Sequence, residues 1–83
     1  MKLIIQIPCF NEEKTLPATI KDLPSEIDGF SSVEYLVIDD GSTDKTFETA
    51  KKLGVHHIIQ LGSNRGLATA FKIGIEYALD QDA

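Results

Sequence analysis

Residues 2–16 read KLIIQIPCFNEEKTL, and this stretch decides the fold. Lys2 to Ile7 is a short, almost unbroken apolar run of the kind that a strand covered on both faces requires. The run ends abruptly in Pro8, Cys9, Phe10, Asn11, Glu12 and Glu13, and a helical pattern then opens between Glu13 and Leu16. Leu16, Ile20, Leu23 and Ile27 recur at helical spacing, with Pro17 tolerated only in a first turn and Pro24 disturbing the end. The stretch is therefore strand, polar turn, helix. The turn is unusual, because a proline, an aromatic, an asparagine and two glutamates stand where glycine and serine are common.

The same order returns twice. Apolar runs over 33–39 and 55–60 are rich in Val, Ile and Leu, and each passes through a polar turn into a helical pattern. The second helix is expected to be capped by Asp44, to turn Phe47, Ala50 and Leu53 inward, and to stop at Gly54. The third carries Leu67, Ala70, Phe71, Gly74, Ile75 and Ala78 on one apolar stripe. Strands alternating with helices predict a three-layer α/β unit, β-α-β-α-β-α, with a parallel sheet in strand order 3-2-1 and right-handed crossovers. Ligands of such sheets bind beyond the carboxyl ends of the strands, where residues 8–12, 39–44 and 61–66 all fall.

Composition narrows the classes. The chain has 83 residues, 42% of them hydrophobic and 25% charged, which suits one small folded domain rather than a disordered segment. Such a domain buries only about 60–65% of the surface of its unfolded chain, too little to build a large cleft with two complete walls. A net charge of -5 argues against nonspecific nucleic-acid binding and against a polybasic membrane anchor. Cys9 is the only cysteine, so no disulfide framework or multi-cysteine zinc site forms within the chain, and a reducing, cytoplasmic setting is expected. The apolar start is cut short by Pro8 and NEEK, too early for a secretory signal or a membrane span.

Asp39 and Asp40 end the second strand, and neighbouring strand residues point to opposite faces, so only one can face a ligand unless the strand ends between them. One reading of DDGSTD is a turn closed by its own side chains, with Asp44 as helix cap and Asp39 structural. The other gives Asp40 a ligand. An ionised carboxylate only accepts hydrogen bonds, which suits uracil N3–H or the guanine edge better than adenine. Phe10 either stacks on a base or lies as a lid over the first helix, while Asn11 and Glu13 suit the first helix's N-terminus, leaving Glu12 to face a ligand. In SNRG, residues 63–66, backbone N–H groups and Arg65 could meet a diphosphate, or the segment is an ordinary helix start. His56 and His57 point apart, which disfavours joint metal binding and suits solvent or edge positions, and Gly74 marks close helix-to-sheet packing.

Together IPCFNEEKTL, VIDDGSTDKT and NRGLATAFKIGI resemble the amino-terminal, nucleotide-binding half of family 2 glycosyltransferases, inverting enzymes of the Rossmann-like GT-A fold. The resemblance implies that Pro8, Phe10, Glu12 and Asp40 wrap the nucleotide of a UDP- or GDP-sugar donor, with Arg65 and Gly66 nearer the phosphates. Phe10 stands where the family often has tyrosine, which keeps the stacking face and drops a hydroxyl. NEEKTLP and NRGLATAF look close to members that glycosylate polyprenyl phosphates, which implies a lipid-linked acceptor and a full-length enzyme at the cytoplasmic membrane face.

In that family a D-x-D motif on the next strand holds Mg2+ or Mn2+ against the diphosphate, and the catalytic base lies further on. Asp80 and Asp82 imitate D-x-D by spacing but follow the third helix directly, so they are expected in a helix-end loop. The chain thus reads as a partial domain, 1–83, without catalytic or metal-binding residues, inactive alone and prone to self-association through its apolar first strand. A dinucleotide-binding Rossmann unit would need glycines after the first strand, and IPCFNEE has none. A haloacid dehalogenase-type phosphatase needs aspartates two apart, where Ile38 stands in the nucleophile's place, and a response-regulator receiver puts its acidic pair after the first strand. A sugar nucleotidyltransferase favours a glycine-rich first loop. The contender from another class is a noncatalytic half-domain that binds a nucleotide or a partner chain.

Overall fold

Parallel pairing sets the frame. In the computed structural model, which describes residues 1–81, three strands and three helices alternate: β1 (Lys2–Cys9), α1 (Leu16–Lys21), β2 (Ser32–Asp39), α2 (Thr46–Leu53), β3 (His57–Gln60) and α3 (Leu67–Asp80). The sheet is parallel in the order β1-β2-β3, the expected 3-2-1 read from its other edge. In register, Cys9 lies beside Asp39 and Asp39 beside Gln60, so all three strands end in one row. Asp40 N–H continues that row to Cys9 O at 2.8 Å, and Leu61 N–H to Asp39 O at 2.9 Å. The three polar turns are thereby brought to one edge.

The alternation of side chains along each strand divides the core into two layers. Ile7, Cys9, Val37 and Ile58 meet Leu16 and Ile20 of α1 and Ala50 of α2 on one face. Ile4, Leu36, Ile38 and Ile59 meet Ala70 and Tyr77 of α3 on the other. Gly74 fits where expected, since a Cβ there would run into the Gln6 side chain and Ile38 Cδ1, so its missing side chain lets α3 sit close to the sheet.

The helices differ from the sequence reading in three ways. α1 stops at Lys21, so Leu23 and Ile27 are half-buried in the following loop: Asp22 and Leu23 N–H close the last turn, and Pro24 disfavours helical backbone at the residue before it. In α2 Ala50 is buried as expected, but Thr46 takes the second buried place and Leu53 is exposed, because the helix rests on the sheet through its first turns. In α3 only Ala70 and Gly74 of the apolar stripe are buried; Leu67, Phe71 and Ile75, with Leu79, are between 41% and 65% exposed. Close approach at Gly74 and Ala70 turns the larger side chains away from a sheet only three strands wide.

His57 lies on the edge strand β3, in line with the edge position expected of it, but its ring is held by neighbours. Its Nε2 meets Glu34 Oε1 at 2.6 Å and its Nδ1 meets Tyr77 Oη at 2.8 Å, tying β3 to β2 and α3. The hydrogen bond from His57, aided by Lys2 at 3.6 Å, holds the Glu34 carboxyl below its ordinary value of 4.5. His56 is exposed and accepts Tyr35 N–H on Nδ1 at 2.9 Å; its ring centre lies 6.4 Å from that of His57, so the two rings do not diverge as expected, although they bond to different partners. No helix among the described residues is long and apolar enough to cross a membrane.

Candidate functional site

β2 ends at Asp39, so the two aspartates part company there. Asp39 stays on the α1 and α2 face and accepts Ser42 N–H on Oδ1 at 3.0 Å, closing the turn by its own side chain. Asp40 reaches across to the turn after β3. Its Oδ1 accepts Arg65 N–H at 2.8 Å and its Oδ2 accepts Gly66 N–H at 2.9 Å, while Asn64 Nδ2 donates to its backbone oxygen at 3.3 Å. Asp40 is 0% exposed, and a carboxylate so buried requires such donors. Of the backbone N–H groups at residues 63–66 expected to greet a diphosphate, those of Arg65 and Gly66 therefore serve Asp40 instead.

The first turn is joined to the second by a reciprocal set of bonds. Asn11, Glu12 and Glu13 donate their backbone N–H groups to Ser42 Oγ, Thr46 Oγ1 and Asp44 Oδ2 at 2.9, 2.9 and 3.2 Å. In return Asn11 Oδ1 accepts Thr43 N–H at 2.8 Å and Asp44 N–H at 3.4 Å, and Glu13 Oε1 accepts Lys45 N–H at 3.3 Å. Asn11 and Glu13 thus serve the neighbouring turn rather than the start of α1, whose N-cap Thr15 makes no side-chain cap bond. Asp44 stands one residue before the N-cap of α2 yet still accepts Thr46 N–H at 2.9 Å, and its bonds with Thr46 hold its carboxyl below the ordinary value. The partners in this set lie more than thirty residues apart in the chain, beyond the reach of a local pattern.

Between the turns lies an open cleft of about 450 Å3. Pro8, Phe10 and Glu12 line it from the first turn, Asp40 from the second, and Asn64, Gly66 and Leu67 from the third. Five of the six residues singled out by sequence share this one cleft; Arg65 is exposed and outside its lining. Phe10 is 41% exposed and belongs to neither core layer. Asn64 and Leu67 join them; both lie in the NRGLATAFKIGI segment, though neither was singled out as a site residue. The chemistry available is binding: an aromatic face, carboxylates and backbone amides. Cys9 adds no nucleophile, since burial above all, with Glu12 and Asp39 nearby, pushes its thiol up to about 12.

Residues 4–81 match glycosyl transferase family 2. The chain belongs to that family. It is 44% identical over 81 residues to an uncharacterized protein of Methanocaldococcus jannaschii, covering 94% of this chain and 30% of that one. Against glycosyltransferase AglJ of Haloferax volcanii identity is 45% over 64 residues, 77% of this chain and 20% of the relative. Against dolichyl-phosphate beta-glucosyltransferase of Homo sapiens it is 34% over 86 residues, 89% and 26%. The chain spans about a fifth to a third of the curated relatives it matches. Among the described residues of this family 2 chain no three His, Cys, Asp or Glu side chains gather in a group that could hold a metal ion. Asp80 is the last residue of α3 rather than part of a loop, and Asp82 lies outside the described residues.

Proposed function

We propose that this chain is the donor-binding part of an inverting glycosyltransferase that moves a sugar from a UDP- or GDP-sugar to a polyprenyl phosphate at the cytoplasmic membrane face. The observation that carries the reading is the exposed ring of Phe10 on a cleft shared by all three strand-end turns. A nucleobase stacks on that ring, Pro8 and Glu12 border it, and Asp40 accepts a base N–H on lone pairs that Arg65 and Gly66 leave free. The Arg65 side chain, with Gly66 beside it, meets the diphosphate, and Mg2+ or Mn2+ is supplied by a D-x-D segment outside the chain. Family membership supports sugar transfer, and two matched relatives are named for dolichyl or dolichol phosphate, a polyprenyl phosphate.

Phe10→Ala is expected to cost about 1–3 kcal/mol of nucleotide binding, roughly 5- to 150-fold in affinity, whereas Phe10→Tyr keeps the stacking face and binds as before. Nuclear magnetic resonance titration with UDP and GDP measures this. A Phe10→Ala chain that binds normally and melts early would return Phe10 to a packing role and the chain to a noncatalytic partner-binding module.

Self-association belongs to the same reading. β1 has a sheet neighbour on one side only, and the outer side chains of α3 add apolar surface on one face of the sheet. An uncovered apolar edge pairs with other chains. Light scattering of the 83-residue chain is expected to report species larger than a monomer; a monodisperse monomer across the micromolar range would refute this.

A further inference from the structure

Phe10 lines the cleft, is 41% exposed and belongs to neither core layer, so the backbone that carries it bears on where the ring stands. The next residue, Asn11, is the only non-glycine residue with positive φ among the described residues, at 53°. Few side chains accept that conformation, and asparagine is one of them. Asn11 Oδ1 also gathers Thr43 N–H, Thr43 Oγ1 at 3.3 Å and Asp44 N–H, while its own N–H goes to Ser42 Oγ. One residue thus turns the chain just after Phe10 and anchors that turn to the loop following β2.

We infer that Asn11 is a positioning residue for Phe10, fixing the ring at the cleft for the nucleobase. The role rests on the donor-site reading, yet it makes a claim about the free protein as well. Asn11 touches no base. It acts by removing the freedom of the adjacent backbone, so that the stacking face stands ready before a ligand arrives. Conformation and hydrogen bonding are separable: Asn11→Gly keeps the positive φ and loses the acceptor, whereas Asn11→Asp keeps an acceptor oxygen at the same place.

Three-bond couplings that report the Phe10 χ1 angle, measured on the labelled ligand-free chain, give the first test. The native chain and Asn11→Asp are expected to show values of one dominant rotamer, and Asn11→Gly rotamer-averaged values. Titration with UDP and GDP gives the second, in a double-mutant cycle with Phe10→Ala. Asn11→Gly is expected to weaken nucleotide binding about 3- to 10-fold in the native background and to change nothing further once the ring is gone. Unchanged Phe10 couplings in Asn11→Gly, or an equal loss of affinity with and without the ring, would overturn the role. Absence of any nucleotide binding by the native chain would instead overturn the donor-site reading, and the couplings would still decide what Asn11 does.

Discussion

Gly41→Ala is expected to bring the chain close to unfolding, with a loss of about 3 kcal/mol or more, equivalent to roughly 12–24 °C in melting temperature for a domain this small. Two causes add. Gly41 has φ 73°, where a Cβ is strained, and a Cβ built there would overlap the backbone nitrogen of Asn64 and the carbonyl carbon of Ser63. No rotamer change relieves an overlap with backbone, so the β2 and β3 turns would have to separate. Gly54 supplies the control, since it has φ 71° and open space around it. Gly54→Ala should therefore cost only the conformational part, about 1–2 kcal/mol. Circular-dichroism melts of the two variants measure the difference, and equal shifts would show that close approach at Gly41 contributes nothing.

Separation of those turns is also what Asp40→Asn should cause. The sequence reading placed the folding burden on Asp39 and the binding burden on Asp40, and the structure redistributes it. Asp39→Asn retains an oxygen for Ser42 N–H and should be mild. In Asp40→Asn one of two buried N–H groups, from Arg65 or Gly66, faces an amide nitrogen instead of an oxygen. An unmet buried donor costs about 1–3 kcal/mol, and the lost charge-assisted bond adds to it. Asp40→Asn is therefore expected to lose about 2–4 kcal/mol of stability along with nucleotide affinity, against less than about 1 kcal/mol for Asp39→Asn. Urea titrations of both variants decide it. An Asp40→Asn chain as stable as the native one would mean that the clamp on residues 65 and 66 is dispensable.

Much of the site was legible because its residues sit at strand ends, and strand ends can be read from apolar runs. Pro8, Phe10, Glu12, Asp40 and Gly66 reach one cleft for that reason alone: a parallel sheet in register sets every β-to-α turn on the same edge. What was misassigned are the residues whose partners lie on another turn. Asn11 and Glu13 look like helix-start residues by composition, and only the pairing of β1 with β2 brings residues 42–46 close enough to compete for them. The same holds for Arg65 and Gly66, whose N–H groups look free until Asp40 arrives from 25 or more residues away.

The sequence by itself determined the order of elements, the parallel sheet, the stop of α2 at Gly54 and the family, because periodicity and turn chemistry are properties of neighbouring residues. Tertiary structure alone decided which face of each helix is buried and which polar groups are free. α3 has more apolar residues than one face can hold, and the contact at Gly74 chose Ala70 over Phe71 for burial. Asp40 became the clamp of the third turn because a buried carboxylate must find donors, and the packed turns set Arg65 N–H and Gly66 N–H within 2.9 Å of its two oxygens.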